Sequence, residues 1–138
     1  MANNLPPPNL YSKDPQPHSG FVTTWTVTAS EAAGVEVVCT KALEADRTHF
    51  ITFIVCNTDN TDPDDATKLV VTLWDGAVDG TALLEVWPVE QDGTPSIMNF
   101  SSPIQLTEGN AVNLKGIPDG DDKCSLTIGG FTSNTRVD

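Results

Sequence analysis

No stretch of this chain keeps the i, i+3, i+4, i+7 apolar spacing of an amphipathic helix. Instead, runs rich in Val, Ile, Thr, Phe and Trp recur, with Gly, Asn, Asp or Pro between them. Eight runs have strand length: Phe21–Thr28, Val35–Lys41, Thr48–Asn57, Lys68–Trp74, Thr81–Trp87, Ser96–Phe100, Ala111–Leu114 and Cys124–Ile128. Several alternate strictly, with Trp25 and Val27 set against Thr24 and Thr26, and Leu69, Val71 and Leu73 set against Val70, Thr72 and Trp74. That period of two puts one side of each strand on a core and the other toward solvent or a partner. The run Thr48–Asn57 (THFITFIVCN) is apolar on both sides, as a central strand covered on each face would be. Asp-Gly occurs four times, at Asp75-Gly76, Asp79-Gly80, Asp92-Gly93 and Asp119-Gly120, and supplies turn chemistry between runs. The pattern predicts an all-β chain, a single antiparallel β-sandwich or jelly roll of about eight strands.

The first twenty residues differ. Five of the 10 prolines (Pro6, Pro7, Pro8, Pro15 and Pro17) fall there, among Asn3, Asn4, Asn9 and Gly20. Proline fixes φ and removes a backbone donor, so residues 1–20 are expected to form an extended, polyproline-like arm ahead of a sandwich domain at 21–138. Leu5, Leu10 and Tyr11 give such an arm apolar groups to bury, and with Pro6, Pro7 and Pro8 they form the candidate partner-binding set. The alternative is a tail with no role. MANNLPPPNL has neither the basic nor the apolar region of a secretory signal, so export by that route is not expected.

With 138 residues, the chain has the size of one domain. Seven Lys and Arg stand against 19 Asp and Glu, a net charge of -12. A field of that sign repels phosphate backbones, so nucleic acid and anionic membranes are not expected as partners. The longest apolar stretch, Phe50–Cys56, is far short of the roughly 20 residues a transmembrane helix needs. The charge is unevenly spread, for nine acids between Asp59 and Asp92 face only Lys68, while residues 1–30 hold one acid and one base. This predicts an acidic outer end and a near-neutral arm turned toward a partner.

Catalytic chemistry is not legible. His18 and His49 sit in no metal-ligand spacing and read as an arm residue and a strand-face residue, and no GxSxG, P-loop or GxGxxG occurs. Cys39, Cys56 and Cys124 lie in apolar or β-branched runs without a CxxC pair and read as small core hydrophobes, although a Cys39–Cys56 or Cys56–Cys124 bridge is left open. Two acidic segments, NTDNTDPDDAT and PDGDD, offer hard oxygen donors, with Asp59, Asp62, Asp64, Asp119 and Asp121 as the candidate Ca²⁺ set. The EF-hand spacing fails there, because Asp65 stands where the loop needs Gly and Val71 where it needs Glu, so a solvated acidic surface with no cofactor is the preferred reading. Trp25, Trp74 and Trp87 form the candidate carbohydrate platform, and core or edge packing is the alternative.

Residues 68–131 contain VVTLWDGAVDGTALLEVWPV, SIMNFSSPIQLTEGNAVNLKG and CSLTIGGFTS. In this succession Asp75, Gly80, Thr81, Leu84, Asn99, Phe100, Pro103, Ile104, Leu106, Gly129, Gly130 and Phe131 carry a pattern of strand, turn and crossover. It resembles the small β-sandwich virion proteins of tailed bacteriophages, which include capsid decoration (cement) proteins, head fibres and minor head or neck components. The resemblance implies a structural, non-enzymatic protein on the capsid exterior of the virion. It would bind the major capsid protein and self-associate, a homotrimer fitting the local three-fold positions of a shell. The alternatives are another virion part, such as a head-fibre base, neck or tail protein, or a carbohydrate-binding or adhesive module.

Overall fold

The computed structural model describes residues 22–58, 69–86, 95–118 and 122–133. Eight strands form: β1 (Val22–Ser30), β2 (Val37–Lys41), β3 (Thr48–Thr58), β4 (Val70–Asp75), β5 (Thr81–Val86), β6 (Ser96–Gln105), β7 (Val112–Ile117) and β8 (Cys124–Ser133). All eight runs read from the sequence become strands. Three run well past their expected ends, β7 through Gly116 to Ile117 and β6 and β8 likewise, because residues that usually close a strand lie inside them. β6 continues to Gln105 through Pro103, which an edge strand tolerates because no neighbour asks for its missing N–H, and β8 runs on through Gly129 and Gly130.

One sheet has the order β1-β8-β3-β6 and the other β2-β7-β4-β5, and every pairing is antiparallel. Strands one, three, six and eight thus share a sheet, and the remaining four complete the sandwich, the order produced by rolling two Greek keys into a jelly roll. Between the sheets lie Val37 and Cys39 from β2, Ile51, Ile54 and Cys56 from β3, Val71 and Leu73 from β4, Val112 and Leu114 from β7, and Leu126 and Ile128 from β8, all at most 1% exposed. Cys39, Cys56 and Cys124 are buried, as small core hydrophobes should be, and neither of the two bridges left open by the sequence is formed. Among the described residues no helix is long and apolar enough to cross a membrane.

A bulge in β3 sets the geometry of the first sheet. Ile51 pairs with Gly130 and Phe53 with Gly129, so Thr52 is an extra residue, and its hydroxyl donates to the Gly129 carbonyl at 3.2 Å. The bulge drives the β3 backbone against β8, where a Cβ on Gly130 would lie 1.8 Å from the Phe50 carbonyl oxygen. It also resets the alternation of β3. His49 and Ile51 point inward before it, Ile54 and Cys56 after it, and Phe50, Phe53 and Val55 point outward. The apolar character of both sides of this strand therefore has a different cause from the expected one, for no described element covers its outer side.

Candidate functional site

The outer face of the first sheet is built from three complete rows across its strands. Thr28, Thr127, Val55 and Ile97 form one, Thr26, Gly129, Phe53 and Asn99 the next, and Thr24, Phe131, Phe50 and Gln105 the third. None of these residues is charged, in a chain that is 19% charged. Phe50 and Phe131 stack with ring centroids 4.8 Å apart and planes at 12°. The Phe53 ring lies over Gly129, where a Cβ would come within 2.1 Å of it. Ile97 is 59% exposed beside them. Glycine at 129 therefore has a local cause, since it leaves room for an aromatic ring to lie flat on the sheet. The outer face of the second sheet is different, with Lys115 on it within 3.8 Å of Glu36 and 3.6 Å of Asp79. Depletion of charge together with aromatic enrichment is what distinguishes the centre of an interface from ordinary surface.

The inner face of the same sheet carries a buried polar chain. Trp25 Nε1–H donates to Thr132 Oγ1 at 2.9 Å, that hydroxyl donates to His49 Nδ1 at 2.7 Å, and His49 Nε2–H donates to the Ala42 carbonyl at 2.9 Å. The carbonyl can only accept, which fixes the proton on Nε2 and leaves Nδ1 as the acceptor. The Trp25 and His49 rings meet edge to face at 5.7 Å, with Lys41 Nζ 5.8 Å from the Trp25 centroid. Burial holds the His49 pKa below its ordinary value; Lys41 pushes the same way, while the Ala42 bond and Glu44 oppose. His49 is thus a strand-face residue as expected, on the inner face of β3 and fully buried. Trp25 points into the sandwich, Trp74 stands on the outer side of the second sheet and Trp87 lies outside the described residues, so Trp25 and Trp74 share no platform.

The connections after β1, β3, β5 and β7 join strand ends at one end of the sandwich, and in the sequence they hold eleven acids against Lys68 and Lys123. At that end a cavity of about 230 Å³ is lined by Ser30, Asn57, Thr58 and Ser125, among others. The Ca²⁺ candidates Asp59, Asp62, Asp64, Asp119 and Asp121 lie outside the described residues, as do the arm residues Leu5, Pro6, Pro7, Pro8, Leu10 and Tyr11. Among the described residues no three His, Cys, Asp or Glu side chains group around a common metal position.

At the other end the chain enters β1 at Val22, in register with Ser133. Here Asp75 accepts bonds from Thr107 N at 3.1 Å, Thr107 Oγ1 at 2.7 Å and Asn110 Nδ2 at 3.0 Å, pinning the β4–β5 turn to the β6–β7 connection. Burial alone would raise its pKa, but the Asn110 and Thr107 bonds outweigh that and hold it low. Asp75 also illustrates a role that the turn reading missed, because Asp-Gly marks a turn while its carboxylate reaches a second connection 32 residues away.

No family model and no curated protein matches the chain. Among solved structures it is similar to a chain in the structure of the infectious bursal disease virus Gt strain, at 16% identity over 80% of this chain and 31% of that one, with a TM-score of 0.43. A chain from the Gx strain of the same virus gives 18% identity, coverage of 80% and 32%, and a TM-score of 0.42. A chain of the T13 particle of that virus gives 15%, 81% and 34%, and 0.43. The chain thus spans about a third of the length of each of these proteins. The fold assignment stands on the strand order itself.

Proposed function

We propose that this chain is a structural virion protein of the capsid decoration, or cement, type, which binds the exterior of an assembled phage head and bridges neighbouring major capsid subunits. The observation that carries this reading is the segregation of its surface. One face is uncharged and aromatic, β1 follows a near-neutral proline-rich segment, and the connections after β1, β3, β5 and β7 hold most of the acid in the sequence. The resemblance of residues 68–131 to small phage virion proteins supports the same reading. A protein so divided docks by its neutral parts and keeps its charge toward solvent. It acts without catalysis or cofactor, because binding only the assembled shell stabilises that shell by mass action. Leu5, Leu10 and Tyr11, with Pro6, Pro7 and Pro8, contribute the apolar contact to a neighbouring subunit, and a closed homotrimer suits a local three-fold position.

The test is mass spectrometry of purified particles together with rebinding to shells stripped of this protein. The reading expects a copy number on the scale of the capsid subunit and a rise in shell melting temperature on rebinding. A handful of copies per particle would indicate a neck or fibre component instead, and absence from particles would overturn the virion role. With no cofactor in the role, thermal melts in Ca²⁺ and in EGTA should coincide; a higher Tm in Ca²⁺ would assign Asp59, Asp62, Asp64, Asp119 and Asp121 to a cation.

A further inference from the structure

We infer that the uncharged outer face of the β1-β8-β3-β6 sheet is the receptor for the N-terminal segment Leu5–Tyr11 (LPPPNLY) of a second copy of this chain, so that copies are held together by exchanged arms. The inference deepens the proposed function and rests on its self-association.

Three observations select this occupant. The first is chemistry, because stacked Phe50 and Phe131, with Phe53 laid flat on Gly129, make the aromatic surface on which proline-rich segments dock. The segment brings three consecutive prolines, Leu5, Leu10 and Tyr11 and no charge, so it meets the face without burying an unpaired ion. The second is area. The three uncharged rows cross four strands about 4.8 Å apart and take up only Thr24–Thr28 of β1, roughly 20 Å by 17 Å, and so present only about 350 Å². Two such faces pressed together fall well short of the ~800 Å² per partner of a stable interface. A strap laid across the face adds its own second surface, and seven residues at about 3.1 Å each span roughly 20 Å, the length of the face.

The third is reach. Counting back from Val22, Tyr11 lies eleven residues upstream and Leu5 seventeen, or roughly 35 and 50 Å in polyproline geometry. The chain's own face begins at its exit point and ends about 20 Å away, short of where an extended arm would carry Leu5–Tyr11. The centre of a neighbouring copy is about 35–40 Å away, from the radius expected of a body of this size, and the arm meets that distance. Two copies that swap arms make an isologous dimer and copies that each pass an arm to the next make a ring, so either exchange gives a closed oligomer.

The experiment uses the full chain in solution without shells, so its failure leaves the shell-binding role standing and a failure of particle binding leaves arm exchange standing. Sedimentation of the full chain at about 10–100 µM should give a closed oligomer. Leu10→Asp with Tyr11→Asp, placed upstream of β1, should give monomers with an unchanged Tm of the sandwich. Phe53→Asn should do the same from the receptor side. A synthetic peptide of residues 1–20, added to a chain lacking them, should shift the amide resonances of Phe50, Phe53, Gly129 and Phe131, and Leu10→Asp in the peptide should weaken binding at least tenfold. A monomeric full chain, oligomers that survive removal of residues 1–20, or peptide shifts confined to the second sheet would each overturn the inference.

Discussion

Gly130 sits where the β3 bulge presses hardest on β8, so alanine there tests the whole account of the first sheet. The added Cβ would lie 1.8 Å from the Phe50 carbonyl oxygen, 2.9 Å from its carbonyl carbon and 3.1 Å from Ile51 Cα. Carbon and oxygen settle at about 3.3 Å or more, so β3 must retreat by roughly 1.5 Å. That breaks ladder bonds between buried strands, and each buried group left unpaired costs about 1–3 kcal/mol. With repacking of Ile51, the loss comes to about 3–5 kcal/mol, or a Tm lower by roughly 10–15 °C for a domain of this size. Gly129→Ala is the control. The atoms nearest its Cβ are those of the Phe53 ring, which lies on the open side and can turn away, so about 1 kcal/mol is expected. Urea titrations at constant m-value measure both. A Gly130→Ala protein within 0.5 kcal/mol of the parent, or one more stable than Gly129→Ala, would refute the bulge argument.

Other outcomes follow from the polar groups. Thr132→Val keeps the shape but strands Trp25 Nε1 and His49 Nδ1, and should cost about 2–4 kcal/mol by urea titration. Because folding lowers the His49 pKa below its unfolded value near 6.5, the unfolded chain binds the extra proton first; stability is full above that pH and falls as the pH drops through it. A pH series of melts should show the decline, and His49→Gln should flatten it. Asp75 is lowered in the fold, so its contribution is present above about pH 4 and lost below, and Asp75→Ala should remove about 1–3 kcal/mol at neutral pH together with that part of the acid dependence. Burial pushes the Cys39 and Cys56 thiols up to about 11 and about 12, so stability should fall as the pH rises above about 9, where the unfolded thiols ionise first, and a Cys39→Ala variant should decline less steeply.

Strand existence was legible because β-branched runs and turn residues are local signals, and all eight runs carry them. Strand order was not legible. β1 pairs with β8, joining Val22 to Ser133, and no local pattern encodes a partner that far along the chain. Pro103, Gly129 and Gly130 misled in the same way, for each is a common strand terminator that here serves an edge position or a close approach. That His49 faces the core was not legible, because Thr48–Asn57 is apolar on both sides and a single strand shows which side is inward only against its partners. The uncharged sheet face was present in the sequence as the double-sided apolar run of β3. Its meaning needed β8 and β6 beside it, since only the assembled rows show that no charge enters from the neighbouring strands.

The central place of β3 has a consequence for synthesis. Its two neighbours, β6 and β8, begin at Ser96 and Cys124, so a chain emerging from the ribosome carries FITFIVC with both edges unpaired until at least 38 further residues have appeared. Such a segment, low in charge and high in β-propensity, is a template for intermolecular pairing. The acidic residues that directly follow it, from Asp59 onward, emerge during that interval and act as gatekeepers, repelling other nascent copies until the first sheet can close.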